Sequence, residues 1–217
     1  MLSLKFDTII DQPMKILCLG AHSDDIEIGC GGTLLRLLSE NDNVQVNWVV
    51  FGSSGQRKDE AMTSACSFLS GAKSKEVIVE SFKDGFFPYQ GAEIKEFFED
   101  MKRRVLPDLI FTHYRNDLHQ DHRLISELTW NTFRDHLIFE YEIMKYDGDI
   151  GNPNFFVHLD RATCQKKIFT ILTTFTSQAH HHWFTEDTFY SMLRIRGVEC
   201  NAPESYAEGF YCRKASV

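Results

Sequence analysis

Apolar and polar positions along this chain fall into strand-sized runs that alternate with stretches of helical spacing. Met14-Lys15-Ile16-Leu17-Cys18-Leu19-Gly20 is short, mostly apolar and ends on a turn former, which predicts a buried strand. A helix follows from about Ile28 to Ser39, with Leu34, Leu35 and Leu38 on one side. The pattern then repeats. Strands are predicted at Val44–Phe51, Glu76–Glu80 and Pro107–Thr112, with helices at Glu60–Leu69, Ala92–Val105 and Asp121–Phe133 between and after them. Ile138–Tyr146 and Phe155-Phe156-Val157 read as further strands. Two late helices, Arg161–Thr174 and Thr185–Arg194, precede a closing strand at Tyr206–Cys212. Such alternation predicts an α/β fold, a three-layer sandwich around a mostly parallel, Rossmann-like sheet. No repeat, low-complexity tract or linker divides the chain. Residues 1–217 are expected to form one domain, with Asp147–Asn154 the only stretch rich in turn formers.

Composition narrows the function classes. Hydrophobic residues make up 43% and charged residues 25% of the 217, a globular balance that excludes collagen-like and disordered chains. The 31 acidic against 23 basic side chains leave a net charge of −8, which argues against nucleic acid as a partner. A small anion remains compatible, because one or two arginines can hold it locally. No apolar run approaches the ~20 residues of a membrane span. The opening MLSLKFDTIIDQP lacks a small-residue cleavage site and carries two Asp against one Lys, so no secretory signal is expected. Six cysteines without a C-x-x-C pair read as reduced thiols of a cytoplasmic protein.

Two loops hold the densest titratable residues, and both follow predicted strands at the carboxyl end, where ligands bind in open α/β sheets. The first runs Ala21-His22-Ser23-Asp24-Asp25-Ile26-Glu27-Ile28-Gly29-Cys30-Gly31-Gly32. The second runs His113-Tyr114-Arg115-Asn116-Asp117-Leu118-His119-Gln120-Asp121-His122. Imidazole and carboxylate suit Zn²⁺, and three such ligands with an open fourth position describe a catalytic site. Asp25 or Asp121 could instead be a helix N-cap. Adjacent carboxylates such as Asp24-Asp25 repel one another unless a cation or proton lies nearby. His180-His181-His182 has no acidic or Cys partner at a strand end and reads as surface. A strand, Gly-rich turn and helix also describe a dinucleotide site. Here, however, Asp24, Asp25 and Glu27 precede the glycines, where a diphosphate would have to approach.

The first loop resembles the A-H-P-D-D-x-E-x-G-x-G-G opening of the PIG-L/LmbE-like deacetylases, and His119-Gln120-Asp121-His122 resembles their H-P-D-H signature. Gly55-Gln56-Arg57-Lys58-Asp59-Glu60 is similar to an R-x-x-E element after the second strand. Arg196-Gly197 with Tyr206-Ala207-Glu208-Gly209-Phe210 is similar to a C-terminal R-G and Y-A-E-x-F element. The resemblance implies a zinc-dependent hydrolase that removes an N-acetyl group from an amino sugar, free, glycosidic or nucleotide-linked. It implies His22, Asp25 and His122 as metal ligands and Asp24 as general base. His119 becomes the general acid or oxyanion stabiliser, oriented by Asp121. The metal would activate a water for attack on the amide; Zn²⁺ is expected, though a His₂Asp shell also accepts Fe²⁺. Relatives often self-associate, so a homo-oligomer is an expectation of the same origin.

Ser23 and Gln120 replace both signature prolines, which implies looser turns and unchanged chemistry. Asp117 stands where some relatives carry an oxyanion-binding Tyr. It could orient a ligand histidine or bind a sugar hydroxyl, and it joins Arg57 as a substrate-binding candidate. Arg57 suits a sugar or phosphate; the plain alternative is an ion pair with Glu60. Arg115, Arg123 and Arg196 could add positive charge at the rim. Phe82, Phe86, Phe87 and Tyr89 surround Asp84-Gly85 as a sugar-stacking lid, an oligomer contact or core. Two rival functions keep the metal: an amidase of a non-sugar or thiol-conjugate N-acyl substrate, and a binding module without turnover. Asp24 and His119, superfluous in a structural zinc site, count against the second.

Overall fold

Consecutive residues of the first strand point to opposite sides of one sheet, and each side has its own core. The computed structural model describes residues 12–216. In chain order the elements are β1 (Met14–Gly20), α1 (Asp25–Glu40), β2 (Val44–Val50), α2 (Gln56–Phe68), β3 (Ser74–Val79), α3 (Gly91–Arg104), β4 (Leu109–His113), α4 (Gln120–Thr132), β5 (Leu137–Tyr141), β6 (Phe155–Leu159), α5 (Arg161–Thr174), α6 (Glu186–Glu199) and β7 (Tyr206–Cys212). The sheet order is β3-β2-β1-β4-β5-β7-β6. It is parallel from β3 to β5, whereas β7 runs antiparallel to both β5 and β6.

Ile16 and Cys18 pack with Trp48, Phe111 and Phe139 beneath α1, α2, α5 and α6. Leu17 and Leu19 pack with Val49 and Ile110 against Phe98 of α3 and Ile125 of α4. This two-sided burial explains the continuous apolar runs, and it makes the predicted three-layer, mostly parallel architecture the observed one. From β1 the chain winds outward to β2 and β3, then returns to β4 on the other side. That reversal opens a crevice above the carboxyl ends of β1 and β4.

Several boundaries differ from the periodicity. α1 starts at Asp25, three residues earlier than the periodicity suggests, because its first turn sets Ile26 and Ile28 in the core and interleaves them with the buried carboxylates Asp25 and Glu27. The residue preceding α1 is Asp24, and that preceding α4 is His119, so neither Asp25 nor Asp121 is an N-cap. β5 stops at Tyr141, and the carboxylate of the next residue, Glu142, accepts from Arg196, Tyr211 and the Gly151 amide. α6 continues to Glu199, where Arg196 pairs with Glu199 on its last turn. No helix among the described residues is long and apolar enough to cross a membrane. All six cysteines are free thiols. The opening segment read for a secretory signal falls almost wholly outside the described residues.

Candidate metal centre

The crevice is built by the two loops the sequence singles out, joined by a third. After β1 the chain is held by the Ala21 amide, which donates to His113 Nε2 at 2.9 Å. The His22 amide donates to Asp25 Oδ2 at 2.6 Å, so Asp25 turns back across the loop while the Asp24 side chain makes no cap bond. The second loop carries His119, Asp121 and His122 into α4, where His119 Nδ1 accepts the Asp121 amide at 3.2 Å.

Three donors converge. His22 Nδ1 lies 3.2 Å from His122 Nε2 and 3.5 Å from Asp25 Oδ2, and His122 Nε2 lies 3.6 Å from Asp25 Oδ1. The outer nitrogens are committed elsewhere. His122 Nδ1 lies 3.0 Å from Asp117 Oδ2, and His22 Nε2 lies 3.1 Å from Asp84 Oδ1 and 3.3 Å from Asp121 Oδ2. Carboxylates at those positions favour N–H on the outer nitrogens, which turns two imidazole lone pairs toward each other. Lone pairs facing at 3.2 Å repel unless a proton or a cation lies between them. The donor set therefore fits a divalent ion, with nitrogen and carboxylate ligands of the kind zinc takes. Overlapping groups capable of holding an ion are His22-His119-His122, Asp25-His113-His122 and His22-Asp84-Asp121.

Burial alone would lower the His22 pKa, but the Asp121, Asp25 and Asp84 carboxylates outweigh it and hold the ring well above its ordinary value. Burial, then the His113 ring, pushes His122 down to about 3, so the ring is neutral. Burial would raise Asp25, yet His122 and His113 keep it well below the usual carboxylate range. Asp24 goes the other way: burial and then the Asp25 charge push it up to about 6, against a downward pull from Arg57. Burial and the His22 ring lower His119. Burial also drives Glu27, enclosed against α2, well above its ordinary value.

Some expected roles need correcting. The Asp121 carboxylate does not orient His119. It accepts from the Gly85 and Phe87 amides at 2.7 and 3.1 Å and faces His22, while only its backbone amide reaches His119. Asp117 is not placed to meet a substrate. It is 2% exposed, and its oxygens are taken by His122, the His119 amide at 2.8 Å and Lys145 at 2.9 Å. Of the two groups expected for it, a histidine and a sugar hydroxyl, it is the His122 ring that the carboxylate meets. Arg57 does not pair with Glu60, which is occupied by Gln56, Thr176 and Ser177. Its guanidinium lies 3.0 Å from Asp84 and 3.6 Å from Asp24.

The other arginines do not face the crevice. Arg115 stacks on Trp130, Arg123 bonds the carbonyls of Asp117 and Leu118, and Arg196 pairs with Glu142. The aromatic cluster divides: Phe87 is core beside His22, whereas Phe86 and Tyr89 are exposed. His180 and His182 are exposed, in keeping with a surface reading.

Sequence reasoning missed His113, Asp84 and Lys145. His113 stacks on His122 at 4.0 Å and touches Asp25 at 3.3 Å; its signal was its place as the last residue of a buried strand. Asp84 was visible only as the polar residue inside an aromatic loop. Lys145 carried no local signal, since it approaches Asp117 from 28 residues away.

The glycines of the first motif serve packing. A Cβ on Gly29 would lie 2.1 Å from the Tyr141 ring, on Gly31 2.6 Å from Phe68, and on Gly32 2.5 Å from Leu159. Three neighbours thus press against α1, a use of glycine unrelated to holding a diphosphate.

The site is thus a His/Asp cluster at the switch point of a mostly parallel α/β sheet. The model of one family, PIG-L (GlcNAc-PI de-N-acetylase), matches residues 17–133, more than half of the chain. The chain belongs to that deacetylase family. The uncharacterized deacetylase YaiS of Escherichia coli (strain K12) is 29% identical over 121 residues, covering 52% of this chain and 64% of that protein, less than two thirds of its length. Among solved structures, N,N'-diacetylchitobiose deacetylase from Pyrococcus horikoshii is similar with a TM-score of 0.70 and 21% identity, over 90% of this chain and 82% of that one. GalB, the 4-carboxy-2-hydroxymuconate hydratase of Pseudomonas putida KT2440, is similar at 0.72 and 19%, over 94% and 98%. At such identities the structural likeness speaks for the fold, and function has to be argued from the site.

Proposed function

We propose that this chain is one metal-dependent deacetylase domain that hydrolyses the N-acetyl group of an amino sugar, free or conjugated. The carrying observation is the convergence of His22 Nδ1, His122 Nε2 and the Asp25 carboxylate with separations of 3.2–3.6 Å. These three residues would hold the ion, zinc first and Fe²⁺ as the other divalent the donors accept. When bound, such an ion polarises an amide carbonyl and lowers the pKa of a bound water toward ~7.

The remaining residues divide the proton work. Asp24, raised to about 6, is matched to accept a proton near neutrality as water attacks, which is the property a general base needs. His119 accepts a backbone N–H at Nδ1, so its neutral form carries the proton on Nε2. That N–H can donate a hydrogen bond to the developing oxyanion, and the proton that Asp24 takes from the water is the one passed on to the leaving amine, so His119 is never stripped to an anion. Asp121 supports His22 through its carboxylate and His119 through its amide, and Asp117 fixes His122. Arg57 and Asp84, paired at the mouth, offer donors and acceptors to sugar hydroxyls. Six free thiols support a cytoplasmic setting.

An acetate-release screen tests the reading, using N-acetylhexosamines, their UDP forms and non-sugar N-acyl amides, with metal content measured on the same sample. Release from the sugars, abolished by a chelator and restored by Zn²⁺, is expected. Release from non-sugar amides alone would move the assignment to a general amidase. A metal-loaded protein inert toward every amide would overturn it.

A further inference from the structure

In an uninterrupted α-helix the amide of residue 32 donates to the carbonyl of residue 28. In α1 both groups of that link also meet side chains. The Gly32 and Thr33 amides donate to Glu208 Oε1 and Oε2 at 2.8 and 2.7 Å, while the Ile28 carbonyl accepts from Lys167 Nζ at 2.7 Å. Lys167 and Glu208 complete the circuit with a 2.6 Å ion pair, each side chain 3% exposed. Glu208 comes from β7 and Lys167 from α5, 176 and 139 residues along the chain from the Gly32 amide and the Ile28 carbonyl they hold. The lack of a side chain on Gly32 allows the approach, since a Cβ there would lie 2.9 Å from Glu208 Oε1.

Burying two charges is not the economical way to stabilise a core, because a well-packed apolar pair of similar volume is often as good or better. What the pair adds is direction. It clamps α1 at Ile28, one turn behind Asp25, while Tyr141 is pressed against Gly29 from another side. We propose that the Glu208–Lys167 pair is a positioning device that sets the placement of α1, and through it the position of Asp25 against His22 and His122. This rests on the metal reading above. It also gives the C-terminal Y-A-E element a role in the site, although Glu208 touches none of its residues.

Co²⁺ is the probe, read by chelator competition and by its d–d absorption bands, alongside thermal unfolding of the metal-free proteins. In Glu208→Gln/Lys167→Met both charges go together, so no lone buried charge remains. We expect Co²⁺ affinity to fall at least about tenfold, in the range seen when support around a metal site is lost. The d–d bands should change while the unfolding midpoint stays near that of the parent. Glu208→Asp keeps the charges but draws the carboxylate back from the two amides, and should shift affinity and spectrum in the same direction. Parent-like affinity and bands in both variants would overturn the proposal. If the double variant does not fold, Glu208→Asp decides by the same readouts. A parent protein that binds no Co²⁺ would instead sink the metal reading itself, and this inference with it.

Discussion

Asp117→Asn separates support of a ligand histidine from contact with substrate. The carboxylate is buried and has three partners: His122 Nδ1 at 3.0 Å, Lys145 at 2.9 Å and the His119 amide at 2.8 Å. An asparagine can still accept the His119 amide through its oxygen, but it then presents an NH₂ to His122 Nδ1. Two donors cannot face each other, so the imidazole would have to place its proton on Nε2, the nitrogen aimed at His22. The lone pair needed for a metal is lost or must be recovered at a cost. Loss of such support lowers metal affinity about 10–100-fold, or ~1.4–2.7 kcal/mol. Competition between the protein and a chromophoric chelator for Zn²⁺ measures this directly, and steady-state acetate release supplies kcat and KM. Lys145→Met, which leaves Asp117 ionised against His122, should weaken Zn²⁺ by less than about tenfold. Unchanged Zn²⁺ affinity with a raised KM in Asp117→Asn would refute the reasoning and return Asp117 to the substrate.

Other expectations are more local. Asp24→Asn should keep its metal, by elemental analysis, and lose about 10²–10⁴-fold in kcat, the usual share of a general base; a near-parental kcat would mean that another group takes the proton. Gly29→Ala would put a Cβ 2.1 Å from the Tyr141 ring, and urea unfolding should record a loss of about 1–3 kcal/mol from overpacking. Asp160 caps α5 through the Thr163 amide, and that bond holds its carboxyl below its ordinary value. Its stabilisation is therefore complete above the unfolded pKa of about 4 and is lost as pH falls through the lower folded value. Asp160→Ala should cost about 1 kcal/mol at pH 7, a difference from the parent that shrinks below pH 4 in urea titrations.

The parts of this molecule legible in the sequence were those with a short period or a short span. The strands could be read because both sheet faces are covered, which leaves continuous apolar runs such as Ile16–Leu19. His22, Asp25 and His122 were singled out by the resemblance of their segments to two family signatures, and those segments follow β1 and β4 in the chain. Illegible were the contacts that cross the chain: Asp84 reaching His22 from the loop after β3, Lys145 reaching Asp117, and Glu208 reaching α1. No local pattern records such pairings, since they depend on which loops the sheet order brings together. The error over Asp121 has the same origin. Proximity in sequence suggested His119 as its partner, but the turn into α4 gives His119 the backbone amide and sends the carboxylate to His22.

The most direct test of the central claim is an anomalous-scattering map of crystals loaded with one equivalent of Zn²⁺, recorded on both sides of the zinc edge. One peak within coordination distance of His22 Nδ1, His122 Nε2 and the Asp25 carboxylate is predicted. A peak instead on the outer face of His22, between Asp84 and Asp121, or no peak in the crevice at all, would contradict the account.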